Sequence, residues 1–95
     1  MVKVVAKNCA QRDKLDEIIK LYEELVELTR KEEGCIRYEL YQDEKDRSIL
    51  CMIEEWESRE ALDRHLNSEH FKRIVPQIKK FMARETELNV YKKLI

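Results

Sequence analysis

Ile49–Leu50–Cys51–Met52–Ile53 sets the tightest limit on how this chain can fold. Five consecutive apolar residues, closed by Glu54–Glu55–Trp56–Glu57, are too few for a helix of their own. Nor do they alternate as a half-solvated strand does. The run predicts a strand kept from water on both faces. A small chain with few helices covers one face of its sheet from within, and the other must find cover elsewhere. That predicts a homodimer built face to face.

At 95 residues the chain reads as one domain, 1–95. A chain of this length buries only about 60–65% of the surface that its unfolded form exposes, so a second subunit adds core that is otherwise scarce. Nineteen basic and twenty acidic side chains leave a net charge of −1, with no basic patch, which argues against a nucleic-acid partner. No apolar run approaches a membrane span. Met1–Val2–Lys3–Val4–Val5 reads as a strand rather than a secretory leader, so the expected location is the cytoplasm. Cys9, Cys35 and Cys51 are odd in number and form no C-x-x-C pair. They predict free, buried thiols in a reducing compartment rather than a disulfide or a zinc site.

Strand one is predicted from Val2 to about Cys9. Asp13 is the expected N-cap of a helix on which Leu15, Ile18, Ile19, Tyr22, Leu25 and Val26 recur at helical spacing. Arg30 and Lys31 suit its last turn, and Gly34 is placed as its C′ residue. Strand two is predicted over Cys35–Gln42, with Ile36, Tyr38 and Leu40 on one face. After a charged turn at Asp43–Arg47, strand three runs from about Ser48 to Glu57. Ser58 caps a short helix carrying Ala61, Leu62, His65 and Leu66, and Asn67 or Ser68 interrupts it. A second helical piece carries Phe71, Ile74, Val75, Ile78, Phe81 and Met82, with Pro76 expected to kink it or to start a new turn. The last strand covers about Thr86–Leu94. The order is β-α-β-β-α-β, an α+β fold of ferredoxin-like type. Its usual strand order, 4-1-3-2, puts in the middle the two strands here that carry consecutive apolar residues. Both right-handed crossovers place their helices on one side of the sheet.

Two stretches resemble the antibiotic biosynthesis monooxygenase family. Glu32–Glu33–Gly34–Cys35–Ile36–Arg37–Tyr38–Glu39–Leu40 is similar to its E-x-G-C-x-x-Y-x-L element. Glu54–Glu55–Trp56–Glu57–Ser58–Arg59–Glu60–Ala61–Leu62, with His65–Leu66 and His70–Phe71, is similar to E-x-W-x-S-x-x-A-L-x-x-H-L-x-x-x-H-F. The resemblance implies a dimeric α+β barrel with a small-molecule cleft between the sheet and helices of each subunit. It also implies oxidation by O2 without flavin or metal, the electrons coming from an electron-rich phenol, hydroquinone or anthrone. Such a site holds an aromatic molecule away from water, favours its deprotonated form and admits oxygen. In the haem-degrading branch an Asn, a Trp and a His act together. Asn8 matches the first, but His65 and a position near Val75 stand at the others, so haem degradation is not implied.

Trp56 shares a face with Leu50, Met52 and Glu54, as a core anchor, a pocket wall or both. His65 lies beside Leu62 and Leu66 on the apolar stripe and is expected to face inward. With a pKa of about 6.5 it is the best general base in the chain, although a structural imidazole fits the same position. His70 is expected at the rim. Five residues on a continuous helix point the two histidines to different faces, so no metal site is expected. Asn8 is a polar residue in a central strand, placed to hydrogen-bond a bound phenolate or to sit at a bulge. Tyr38 and Tyr91 are candidate cleft residues. Glu54 is either a buried base with a raised pKa or the partner of a rim lysine. The first reading is a cofactor-independent monooxygenase with His65, Trp56 and Asn8 as catalytic residues and His70, Tyr38, Glu54 and Tyr91 around the substrate. Alternatives are a sugar-phosphate isomerase, for which Arg37 and Arg84 are the faint phosphate candidates, and a non-catalytic binding or stress protein.

Overall fold

β-Branched and apolar residues open the chain as strand β1 (Val2–Cys9) in the computed structural model, which describes residues 1–95. A single 3-10 turn (Arg12–Lys14) leads into helix α1 (Leu15–Thr29). Strands β2 (Cys35–Gln42) and β3 (Ile49–Trp56), helices α2 (Arg59–Leu66) and α3 (Glu69–Lys79), and strand β4 (Glu87–Lys92) follow. The sheet order is β2-β3-β1-β4, every neighbouring pair antiparallel. This is the expected ferredoxin-like α+β fold, with the second crossover helix in two pieces.

Along β3 the side chains sort strictly by parity. Leu50, Met52, Glu54 and Trp56 are buried, while Ile49, Cys51, Ile53 and Glu55 are only half-buried. The buried set meets Ile18 and Leu25 of α1 and Ile74 and Ile78 of α3 in one apolar core. Burying each such aliphatic side chain stabilises the fold by about 1.5–3 kcal/mol. The other set pairs with its like across the strands, Val5 opposite Ile53 and Lys7 opposite Cys51, on a sheet face that the chain's own helices leave uncovered.

Several local expectations shift. Asp13 lies inside the 3-10 turn, and α1 begins at Leu15 with no side-chain cap. The helix ends at Thr29, before Arg30 and Lys31, so Gly34 is not its C′ residue. Gly34 instead opens β2 with φ +89°, and a Cβ there would lie 2.6 Å from the Cβ of Ala61. Glycine is needed for its backbone angle and for the close approach of α2. A register shift between Cys35 and Arg37 turns Ile36 out to solvent, off the face that Tyr38 and Leu40 share.

The helix starts follow the sequence closely. Ser58 accepts from the N–H of Ala61, and Ser68 accepts from the N–H of Phe71, so the chain closes one helix and starts another across Asn67–Ser68. Helix α3 runs through Pro76 without ending there but stops at Lys79, which leaves Phe81 and Met82 beyond it. Beyond it, the Ala83 N–H donates to the carbonyl of Cys9, and that of Gln11 donates to the carbonyl of Phe81. These bonds pin the segment before β4 to the end of β1. Strand β4 itself is exposed throughout.

Candidate active site

Between the sheet and helices α1 and α3 lies a cavity of about 240 Å³. Its wall is mostly apolar, from residues such as Leu25, Met52, Phe71 and Val75, with a few polar groups converging on it. A dry cavity of about 150 Å³ holds a benzene molecule, so this one has room for a substituted aromatic ring.

Glu54 projects into this wall from the centre of β3 and is only 6% exposed. Burial lifts its carboxyl to about 7. The indole N–H of Trp56, donated to Oε1 over 3.0 Å, opposes that rise, and the charge of Glu32 adds to it. A carboxyl poised there exchanges a proton near neutral pH.

Asn8, on the adjoining strand, is held at both ends of its amide. Nδ2 donates to the Tyr22 hydroxyl over 3.0 Å, and the Thr86 hydroxyl donates to Oδ1. One amide N–H of Asn8 remains, together with the Tyr22 O–H, whose oxygen already accepts. Both are donors in the cavity wall. Burial raises the pKa of Tyr22 and of Tyr38, so both phenols stay protonated.

His65 is 1% exposed and stands behind this wall rather than in it. Its ring lies against Trp56 (centroids 4.6 Å apart), Phe71 (5.0 Å) and Tyr38 (5.2 Å). Nδ1 lies 2.8 Å from Glu32 Oε2, and Nε2 is buried with no partner. Its pKa is not the ordinary one expected from sequence, because burial lowers it against the opposing pull of Glu32. His70 Nε2 reaches the same Glu32 oxygen over 2.6 Å. The two histidines therefore do not point apart. The break at Asn67–Ser68 removes the continuous helix on which that expectation rested and turns both rings onto one carboxylate.

The predicted residues thus divide. Asn8, Tyr38 and Glu54 meet in the cavity. Trp56, fully buried, and His65 form the layer behind it, and His70, half-buried beside His65, does not line the cavity. Tyr91 is not brought to the cavity. It pairs with Lys3 on the uncovered sheet face, while Leu88 and Val90, opposite Ala6 and Val4, take the helix side. Arg37 pairs with Glu39 and Glu55, and Arg84 donates to Cys9 Sγ. Neither lines the cavity, where Lys79 is the one cation. Sequence reasoning missed Glu32, although it lies in the first quoted motif, and missed Tyr22, which sits on the apolar stripe of α1 and passes for core. It also missed Thr86, which carries no local signal.

Residues 1–77 match the family model described as antibiotic biosynthesis monooxygenase. A crystal structure of a conserved protein from Methanosarcina mazei Go1 is 44% identical, with a TM-score of 0.96 over 98% of this chain and 92% of that one. A crystal structure described as an antibiotic biosynthesis monooxygenase is 38% identical, also at 0.96, over the whole of both chains. An uncharacterized Synechocystis protein, sll1783, is 36% identical over 90 residues, 94% of this chain. The chain spans about 61% of the length of that relative.

Proposed function

Because this chain belongs to the antibiotic biosynthesis monooxygenase family, we propose that it oxidises a small hydroquinone with O2, drawing the electrons from the substrate and needing neither flavin nor metal for the step. The observation that carries this reading is Glu54, a carboxyl lifted to about 7 in the wall of an apolar cavity with room for an aromatic ring. Asn8 and Tyr22 add donors to the same wall.

In this reading Glu54 takes the proton of a phenolic hydroxyl, and the Asn8 amide and Tyr22 hydroxyl stabilise the oxyanion left behind. The electron-rich ring then adds O2 at the carbon beside that oxygen and passes to a hydroperoxide. Loss of water from the hydroperoxide leaves a hydroxyquinone. Hydroquinone plus O2 gives hydroxyquinone plus water, with one oxygen atom in each product. Trp56 fixes the carboxylate, and His65 backs the aromatic wall. Glu54 takes the base role that the inward-facing His65 suggested, since its carboxyl lines the cavity and the Nδ1 of His65 is engaged with Glu32. A sugar phosphate fits less well, because Arg37 and Arg84 do not line the cavity. The uncovered face of the sheet supports a homodimer, two copies closing over Val5 and Ile53.

Oxygen uptake with a panel of benzo- and naphthohydroquinones tests the reading. Glu54→Gln keeps the shape and the indole contact and is expected to lower kcat by about 10²-fold or more. Uptake unchanged by that substitution, or absent with every hydroquinone, would overturn it.

A further inference from the structure

Apart from the aromatic oxidation, the geometry points to a binding site for a divalent transition-metal cation at Glu32, His65 and His70, at the junction of α2, α3 and the segment ahead of β2. Three donor atoms from three separate elements, one carboxylate oxygen and two imidazole nitrogens, all lie within 4.8 Å of one another. Two histidines and one carboxylate are a donor set for Zn²⁺, Fe²⁺ or Co²⁺, whereas Mg²⁺ and Ca²⁺ prefer all-oxygen shells.

A hydrogen-bonded cluster without metal is the competing arrangement, and it leaves a defect. For Glu32 Oε2 to accept from both rings, His65 must carry its proton on Nδ1. Its Nε2 is then a bare acceptor, buried and without a partner, which is costly. Coordination through Nδ1 moves that proton to Nε2, among the rings of Trp56, Tyr38 and Phe71. An N–H donor is tolerated against aromatic faces where a bare lone pair is not.

Bonds of about 2.0–2.1 Å in a tetrahedral site set the donors about 3.3 Å apart. The contacts of 2.6 and 2.8 Å must therefore open by about 0.7 and about 0.5 Å. Glu32 and His70 keep 16% of their side-chain surface exposed, enough to move and to leave the cation a way in with room for water. His65, fixed by its aromatic neighbours, is the rigid ligand. A cation there stands outside the substrate cavity and clamps the α2–α3 junction to the start of β2.

The test uses the purified full chain, stripped with a chelator and titrated with Zn²⁺ by calorimetry and with Co²⁺ by visible absorption. One equivalent per chain, Co²⁺ bands of imidazole–carboxylate type and a Zn²⁺-dependent rise in Tm are expected. Loss of a buried outer-sphere partner weakens a metal site about 10- to 100-fold. Removal of a ligand in Glu32→Gln or His70→Gln is expected to weaken it at least as much, in variants whose metal-free circular dichroism matches wild type. Glu69→Gln, an exposed neighbour, is expected to keep wild-type affinity. Absence of saturable binding at one equivalent would overturn the assignment, as would equal affinity in wild type and Glu32→Gln.

Discussion

The indole N–H of Trp56 donates to the carboxylate of Glu54 over 3.0 Å, between residues two apart on one strand and on its buried face. The period of a β-strand alone brings the two side chains to the same side. Burial raises the carboxyl and the indole restrains it, so a single strand carries a titrating group together with the donor that tunes it. The network around Asn8 depends instead on three elements meeting, β1, α1 and the segment before β4.

Glu54 makes stability depend on pH in the sense opposite to an ion-paired carboxylate. Its pKa is about 7 when folded and 4.5 as a free group, so between those values the folded chain holds a proton that the unfolded chain has released. The contribution of this group therefore falls as pH rises through that window, by about 2–3 kcal/mol. Glu54→Gln has no such proton. Urea unfolding of both proteins at about pH 5 and about pH 8 is expected to show the variant gaining on wild type at the higher value. A pH-independent difference would mean that the carboxyl is not raised.

Trp56→Phe removes the donor that holds the Glu54 carboxyl down. The pH midpoint of oxygen uptake is expected to move to higher pH, together with a loss of stability of about 1–3 kcal/mol from the smaller ring. A variant with reduced stability and an unmoved midpoint would limit Trp56 to packing.

Gly34→Ala is expected to cost about 2–4 kcal/mol, from the positive φ and from the 2.6 Å approach to Ala61. Ala61→Gly in the same chain relieves the crowding but not the backbone angle, so denaturant melts of the double variant are expected to recover part of the loss. Full recovery would assign the whole cost to crowding.

Val5 and Ile53 face each other at the middle of the uncovered sheet face. Sedimentation is expected to find wild type as a dimer and Ile53→Glu as a monomer, since the substitution puts a charge where two apolar faces meet. A wild type that stays monomeric at micromolar concentration would end the face-to-face assembly.

Elements that depend on a repeating pattern were legible in the sequence. The parity of β3, the stripe of α1, the cap at Ser58 and the break at Asn67–Ser68 all lie where short-range periodicity and capping chemistry put them. The shift between Cys35 and Arg37 was not, because Ile36 continues an alternation that only the pairing with β3 interrupts. Glu32 lies 33 residues before His65 and 38 before His70, and no local spacing joins them. Tyr91 was within reach. Its alternation with Leu88 and Val90 already put it on the other face, and the register with Lys3 decides which face that is. Asn8 and Glu54 were legible as polar residues in central strands, since such residues need a reason to be there. The partners of Asn8 come from packing alone.

Thr86 and Leu88 border the cavity, and both lie beyond the residues that match the family model. Thr86 also holds the Asn8 amide, so this last stretch supplies one polar anchor of the cavity as well as part of its apolar boundary. Leu88 carries no such bond, and a larger or smaller side chain there changes the girth of the cavity while the amide stays held.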